Sequence, residues 1–558
     1  MNMNRPHRQK RTALVLLATV LIGTSFTAHS EEREDLERLR ATVLSLIDTL
    51  VKNGVLPREK VDAMMREAEA KASTRLALLP SSELGTDGKK IVRVPYVSGA
   101  IKSQMRDEIK AEVLAQMKIA PVVAGDLIAP SSRIRVEGDV RLRTEMTRLS
   151  TDNTPPAAYD SSATLTRAAD FLTLGGTGKD LHTDNTQENT SRERLRARIG
   201  VEADVTSGVT AGIALSSGSV TNPTTTNQTL AGNAYFNKYS VVIDRAFIKL
   251  DPAPWLTMSG GRIRNPYLGT DLLWADDLNF EGLSMTLKPQ LSPSVGTFLT
   301  AGWFPLSTSV PRQSHGRSLI GVQAGVDWQI GQKENRLKLA AGLFDYRGIE
   351  GIAETQNNYQ TEPDYVVRSE YGAGYRQRGN TLFRINAPTS IDPNTNWGLA
   401  SRFRELDLTA TLDVAQFDPV HVILTGDVVK NIGFKREDIL HRTGVAITDG
   451  KSLGYLAKVQ IGDPVIAKRG DWNVFLAYRY LGSDAVVDAF TSSDFGLGGT
   501  NSKGTILGVN YGLAKNTWLT TRWMSSNLID SIVPTTAGGA QQTKFATDLV
   551  QIDLNTRF

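Results

Sequence analysis

The sequence predicts an all-β membrane protein: a closed antiparallel transmembrane β-barrel of about sixteen strands at residues 132–558, behind an N-terminal α-helical, coiled-coil-like extension. Three observations predict it. After Ser131 the chain alternates apolar and polar side chains in segments of about ten residues, down to its last residue. The connections between these segments alternate short and long. Several segments also carry full charges on one face and apolar side chains on the other.

Residues 1–30 read as a secretory signal. Arg5, Arg8, Lys10 and Arg11 precede the apolar run from Ala13 to Gly23, and Ala28-His29-Ser30 supplies small residues for cleavage. Four of the 63 Lys and Arg and none of the 59 Asp and Glu lie in this segment, so the remainder is formally neutral. That balance argues against a nucleic-acid partner. The chain has no cysteine, so an exported protein of this composition must be stabilised by a large core or by closing a sheet on itself. Beyond the signal, no apolar run reaches the roughly eighteen residues of a membrane-spanning helix, which leaves a strand-built membrane protein open.

Residues 31–73 read as a helical hairpin or coiled-coil segment. Leu36, Leu39, Val43, Leu46 and Leu50 form a short stripe at alternating steps of three and four. Asn53-Gly54 interrupts it, and Pro57 opens a second helix in the first-turn position that proline favours. Residues 74–131 read as a linker with a helix near 99–118, where Ile101, Met105 and Ile109 keep helical spacing.

The barrel begins with RIRVEGDVRLRTE. Arg133, Arg135, Glu137, Asp139, Arg141, Arg143 and Glu145 share one face; Ile134, Val136, Val140 and Leu142 share the other. RERLRARIGVEADV repeats the pattern with Arg192, Arg194, Arg196 and Arg198 opposite Leu195, Ala197, Ile199 and Val201. Arginines facing lipid near the midplane would cost about 2–4 kcal/mol each, so these basic rows line water. In RELDLTATLDV, Leu406, Leu408 and Leu412 face out while Glu405, Asp407 and Asp413 face in. Sixteen such segments start near residues 132, 192, 209, 239, 256, 279, 296, 318, 337, 397, 419, 451, 470, 502, 516 and 547. Thr206-Ser207-Gly208, the Asp251–Trp255 stretch and Ala514-Lys515-Asn516 are short turns. Leu149 to Asn189, Gly348 to Asn396 and Gly482 to Asn501 are long, polar connections. Short turns at one rim and long loops at the other are the pattern of an outer-membrane barrel, and an even strand count puts both sheet ends at the turn rim.

The final segment, DLVQIDLNTRF, ends on Phe558, a terminal aromatic similar to the signature that bacterial outer-membrane barrels present to their assembly machinery. Trp255, Trp328, Trp472, Tyr478, Tyr480, Trp518 and Trp523 stand near strand ends and suit interfacial girdles.

On IVRVPYVSGAIKSQMRDEIKAEVLAQ, SRIRVEGDVRLRTE and GRIRNPYLGTDLLWADDLNFEGLS, the chain resembles the putative-porin family of Gram-negative outer-membrane proteins over nearly all of its length after the signal. The resemblance implies a channel with a periplasmic helical extension in the outer membrane, and, with the barrel size, a homotrimer. It names no solute.

The segment from Gly261 to Ser284 brings Asp271, Asp276, Asp277 and Glu281 together with Trp274 on one connection. Folded inward, this loop sets an acidic shelf against the arginines and a transverse field across a constriction. Otherwise it stays at the rim or contacts a neighbouring subunit. The basic row of Arg133, Arg135, Arg141, Arg143, Arg192, Arg194, Arg196 and Arg198 likewise has two readings, bracing of the wall by interspersed acids or attraction of anions.

No cofactor or metal is expected. The chain lacks thiols and has only six histidines, and Asp484 and Asp488 lack a calcium-loop order. GGTGKD, at Gly175 to Asp180, lacks the upstream glycine and the Ser or Thr of a phosphate loop. His421 is the only histidine on an expected strand and has no nucleophile beside it. The sequence therefore predicts a non-enzymatic outer-membrane channel passing small hydrophilic solutes by diffusion, in contact with lipid and lipopolysaccharide. One rival reading is an envelope tether whose helices bind peptidoglycan; the other is a barrel enzyme acting on lipid.

Overall fold

The structure is a computed structural model that describes residues 133–558, except 157–176, 180, 183, 233–234, 309–315, 332–334, 354–368, 386–395, 444–450, 531 and 535–539. The signal at 1–30, the helical segment at 31–73 and the linker with its helix at 99–118 lie outside the described residues.

Sixteen long strands form the wall among the described residues. They are β1 (Ile134–Leu149), β2 (Thr190–Thr206), β3 (Val209–Ser216), β4 (Val242–Ala253), β5 (Leu256–Arg264), β6 (Asn279–Leu287), β7 (Val295–Ser307) and β8 (Arg317–Ile330). They continue as β9 (Asn335–Arg347), β10 (Arg404–Phe417), β11 (Val420–Asn431), β12 (Leu453–Gly462), β13 (Trp472–Leu481), β14 (Ser502–Ala514), β15 (Thr517–Leu528) and β16 (Ala546–Arg557). Each pairs antiparallel with its neighbours, and two short strands, Gln228–Thr229 and Gln290–Ser292, join the same sheet. Closure comes from β16 pairing with β1, Arg557 opposite Asp139 through to Thr547 opposite Leu149. A closed sheet leaves no unpaired edge for the hydrocarbon to desolvate.

The expected strand near 397 is displaced. Trp397–Leu399 instead forms a small sheet with Thr381–Arg384 and Thr177–Lys179, and the wall strand begins at Arg404. Trp397, Gly398 and Leu399 are all buried, so this stretch lacks the one-sided alternation of a wall strand, whereas Glu405 to Leu408 alternates buried and exposed.

Burial follows the alternation. On β13, Val474, Leu476 and Tyr478 are exposed while Asn473, Ala477 and Arg479 are buried. Exposed apolar residues of one parity, unpartnered within a single chain, are the lipid-facing surface of a barrel. Trp255, Trp328, Trp472 and Tyr511 are exposed near the turn rim, and Tyr455 stacks on Tyr480 at 5.2 Å near the loop rim. At the barrel's seam Phe558 exchanges backbone hydrogen bonds with Gly138, both at 3.0 Å. A Cβ on Gly138 would lie 2.4 Å from the Phe558 ring and 2.9 Å from Arg198 O, so a side chain here must push the ring aside.

Candidate functional site

The site starts from the register of β1 and β2. Period-two geometry and pairing put Arg141 opposite Arg196, Arg143 opposite Arg194, Asp139 opposite Arg198 and Glu145 opposite Arg192 on the inner face. Like charges directly opposed destabilise a sheet unless acids intervene. Here acids do. Asp139 accepts from Arg196 Nε at 2.9 Å and Arg198 Nε at 2.6 Å. Glu145 pairs with Arg192 and lies 3.6 Å from Arg194 Nη1. Arg143 forks onto Asp553 of β16 through Nε at 2.7 Å and Nη2 at 2.8 Å. At the turn rim, half-exposed Arg135 reaches Asp204 at 2.7 Å and Glu202 at 3.5 Å; Arg133 stands just ahead of β1.

The connection at residues 265–278, between β5 and β6, crosses the barrel interior. Pro266 and Gly269 keep it from extending as a strand, and the run Leu272-Leu273-Trp274-Ala275 is almost wholly buried. It is fastened to the far wall. Tyr267 Oη donates to Gly321 O at 3.0 Å. Leu268 N donates to Gln323 Oε1 at 2.8 Å, and Gln323 Nε2 returns a bond to Leu268 O at 2.6 Å. Thr270 Oγ1 donates to Asp427 Oδ2 at 2.6 Å. The loop then returns toward β2, where Asp277 Oδ1 accepts from Arg196 Nη1 and Arg198 Nη1, both at 3.2 Å, and Asp277 Oδ2 from Thr226 Oγ1 at 3.1 Å.

A second inward loop, residues 482–501, joins it. Ala275 N donates to Phe490 O at 2.8 Å, and Thr491 Oγ1 donates to Leu272 O at 2.8 Å while accepting from Arg479 Nη2 at 2.8 Å. Asp494 reaches Arg143 and Arg522, each at 3.2 Å. Asn380, from the β9–β10 connection, donates to Ser483 O at 2.6 Å and Val486 O at 2.9 Å. Together these segments make a dry core that includes Leu272, Trp274, Phe344, Tyr346, Val486 and Trp397. The apolar core therefore lies against one side of the lumen, where Glu405, Asp407, Asp427 and Arg479 of β10, β11 and β13 are buried too, and the arginine row with its acids lies along the wall of β1, β2, β15 and β16. Beside the inner loop a cavity of about 930 Å³ is walled by hydroxyls such as Ser217 and Thr226 and by apolar groups such as Trp274 and Phe490.

The loop carboxylates differ in environment. Asp276 is exposed to solvent yet ringed by protein, and that surrounding, with Asp271 and Asp277 nearby, pushes its carboxyl up to about 6. Burial alone would raise Asp277 as well, but Arg196, Arg141 and Arg198 overcome it and hold its carboxyl below the ordinary range. Arg143 and Arg522 likewise hold the Asp494 carboxyl below the ordinary range against burial.

Asp277 thus meets the arginine wall, while Asp271 lies 3.8 Å from Arg479. Glu281 does not join them. It shares parity with exposed Leu283 and Met285 on β6 and pairs with Arg262 at 2.6 Å, because period two turns it away from Phe280 and the interior. Asp494, Asp553 and Arg522 belong to the site without having been singled out from the sequence. The loop bearing Asp494 carries a signal nonetheless: Ala485-Val486-Val487, Phe490 and Phe495 are too apolar for a connection bathed in water. His421 pairs with Asp413 at 2.7 Å between the neighbouring strands β11 and β10.

The family of proteins described as putative porins matches residues 40–558. The chain belongs to this family. No curated protein matches the porin's sequence. Among solved structures it is similar to Pseudomonas putida OprB, at 8% identity over 77% of this chain and 95% of that one, with a TM-score of 0.39. It is similar also to the trimer form of Vibrio cholerae OmpT, at 9% identity over 76% and 100%, with a TM-score of 0.36. Salmonella typhi OmpF in complex with daunomycin matches at 11% identity over 77% and 99%, with a TM-score of 0.36. At these scores the likenesses add no argument to the family assignment. The porin is an outer-membrane barrel and, by its family, a porin-like channel.

Proposed function

We propose that this porin passes small hydrophilic solutes by passive diffusion through an off-centre, charge-lined eyelet. The observation that carries the reading is Asp277, held by Arg196 and Arg198 of β2 at 3.2 Å. Through it the inner loop is tied to the arginine wall at one end and, through Thr270 and Asp427, to the far wall at the other. A narrowing fixed at both ends sets the widest solute that passes. Opposed guanidinium and carboxylate groups create a transverse field that orders water, favours polar solutes and hinders apolar ones. The arginine row both braces the wall and sets this field, since most of its members touch acids.

The remaining parts of the reading are a homotrimeric assembly embedded in lipid and lipopolysaccharide, a periplasmic location for residues 31–118, and recognition of the strand ending in Phe558 by the assembly machinery. Solute passage needs no cofactor, metal or energy source in this reading.

Single-channel recording of the purified protein in a potassium chloride gradient tests it. Discrete ohmic conductance steps are expected; a folded protein that gives none overturns the proposal. Replacing Arg192, Arg194, Arg196 and Arg198 by glutamine together is expected to move the reversal potential toward cations, because Asp139, Glu145 and Asp277 are then left uncompensated.

A further inference from the structure

The geometry points to a built subsite for a small oxyanion at Arg141, deepening the channel reading and resting on it. Arg141 occupies the middle of the inner face of β1, with Arg196 directly opposite on β2 and Arg143 two residues along the same strand. Arg143, Arg192, Arg194, Arg196 and Arg198 each have a carboxylate oxygen within 4.0 Å. Arg141 has none among the described residues. Its one hydrogen bond there runs from Nη2 to Asn227 Oδ1 at 2.6 Å, a neutral partner. Asn227 is itself fixed, its backbone N and its Nδ2 both donating to Thr225 Oγ1, at 3.2 and 2.9 Å. Arg141 Nε is buried and has no partner among the described residues.

A guanidinium keeps its charge, so this group cannot relieve the repulsion of Arg143 and Arg196 by losing a proton. The other arginines of β1 and β2 named here have a carboxylate in contact, whereas Asp277 and Asp553 act on Arg141 only from beyond ion-pair distance, so its donors are left for an anion from the lumen. The half-buried side chain is oriented in advance by Asn227, which lowers the cost of ordering on binding, and its planar donors match the paired oxygens of a carboxylate, sulfate or phosphate. Chloride, a single sphere, meets the paired donors at one point and gives neither its own acceptor, so it gains less from them. An oxyanion therefore dwells at Arg141 longer than chloride does as it passes the eyelet.

The test records chloride current through the full-length porin while sodium sulfate or sodium acetate is added at constant ionic strength. Both probes are expected to reduce the current reversibly with resolvable dwell times. The longer dwell separates tetrahedral inorganic anions from carboxylates as the favoured shape. Arg141→Gln is expected to raise the concentration needed for half-block by about tenfold, the loss of one charge-assisted contact, and Arg336→Gln, near the turn rim, to leave it unchanged. Asn227→Ala keeps the charge but frees the side chain, and is expected to shorten the dwell; it carries the test should Arg141→Gln not fold. Open channels that sulfate and acetate leave unblocked, or that they block equally in wild type, Arg141→Gln and Asn227→Ala, overturn the subsite and leave the channel standing. Absence of any conductance overturns the channel reading instead.

Discussion

Asp494, on the loop between β13 and β14, lies 3.2 Å from Arg143 on β1, residues 351 positions apart in the chain. The contact joins the inward loop to the seam, because Arg143 also forks onto Asp553 of the closing strand β16. Removing the acid leaves Arg143 its Asp553 partner and cuts the loop's tie to the seam, while Thr491 and Asn380 still hold the loop to the core. Asp494→Asn is therefore expected to keep the barrel folded while increasing open-channel current noise and shifting selectivity toward anions. A quiet trace with an unaltered reversal potential would show that the tie to the seam neither steadies the loop nor shapes the field.

The same pair sets an acid limit. Arg143 and Arg522 hold the Asp494 carboxyl below its ordinary range against the opposing effect of burial. A carboxyl depressed in the folded state contributes stability above its unfolded value, near pH 4, and loses it only as pH falls further. The Asp494 attachment is expected to persist from pH 7 down to about pH 4, which proteolysis of the 482–501 loop across that range would check.

Asp276 titrates in the opposite sense. Surrounding protein and two nearby carboxylates push it up to about 6, so acidification from neutral pH to about pH 5 removes one negative charge from the eyelet. The reversal potential is expected to move toward anions through that window, with a midpoint near 6. In Asp276→Asn the charge is already gone, and the shift over the same window should vanish; its persistence would assign the titration to another group.

Gly138 and Phe558 test closure. A side chain at Gly138 would collide with the Phe558 ring, whose backbone pairs with the same glycine. Overpacking of this kind costs about 1–3 kcal/mol. Gly138→Val is expected to lower the folded fraction seen as heat-modifiable migration on gels, and Phe558→Ala in the same chain to restore part of it. Equal loss in the double variant would refute the steric account.

The two faces of the wall separate cleanly. Leu476 on β13 is 49% exposed at the middle of its strand, while Gln460 on the paired strand β12 shares the inner parity of Leu456 and Lys458. Leu476→Arg is expected to destabilise the barrel in lipid by about 2–4 kcal/mol, and Gln460→Arg to leave stability nearly unchanged. Urea titrations in vesicles distinguish them.

Much of this architecture was legible in the residues. Alternation in RIRVEGDVRLRTE and RERLRARIGVEADV is local, since it follows from the pleat alone, and it located fifteen of the wall strands to within about three residues. The exception, near 397, was a buried stretch whose apolar run has no period to read. Glu281 showed the limit of proximity in sequence: it is four residues from Asp277, yet its strand parity points it the other way. Asp494 was hidden for a different reason. Nothing local to TSSDFGLGG says which of the inward arginines it will meet, although its apolar neighbours announce that it must leave water.

The sequence by itself determined the strands, their oily and charged faces and the alternation of turn and loop, because each depends on side chains a few residues apart. Only the tertiary structure decided which loops enter the lumen, that a dry core fills one side of it, and which acid neutralises which arginine. Those choices are made by contacts between residues tens to hundreds of positions apart, once closure has fixed the register of every strand against its neighbours.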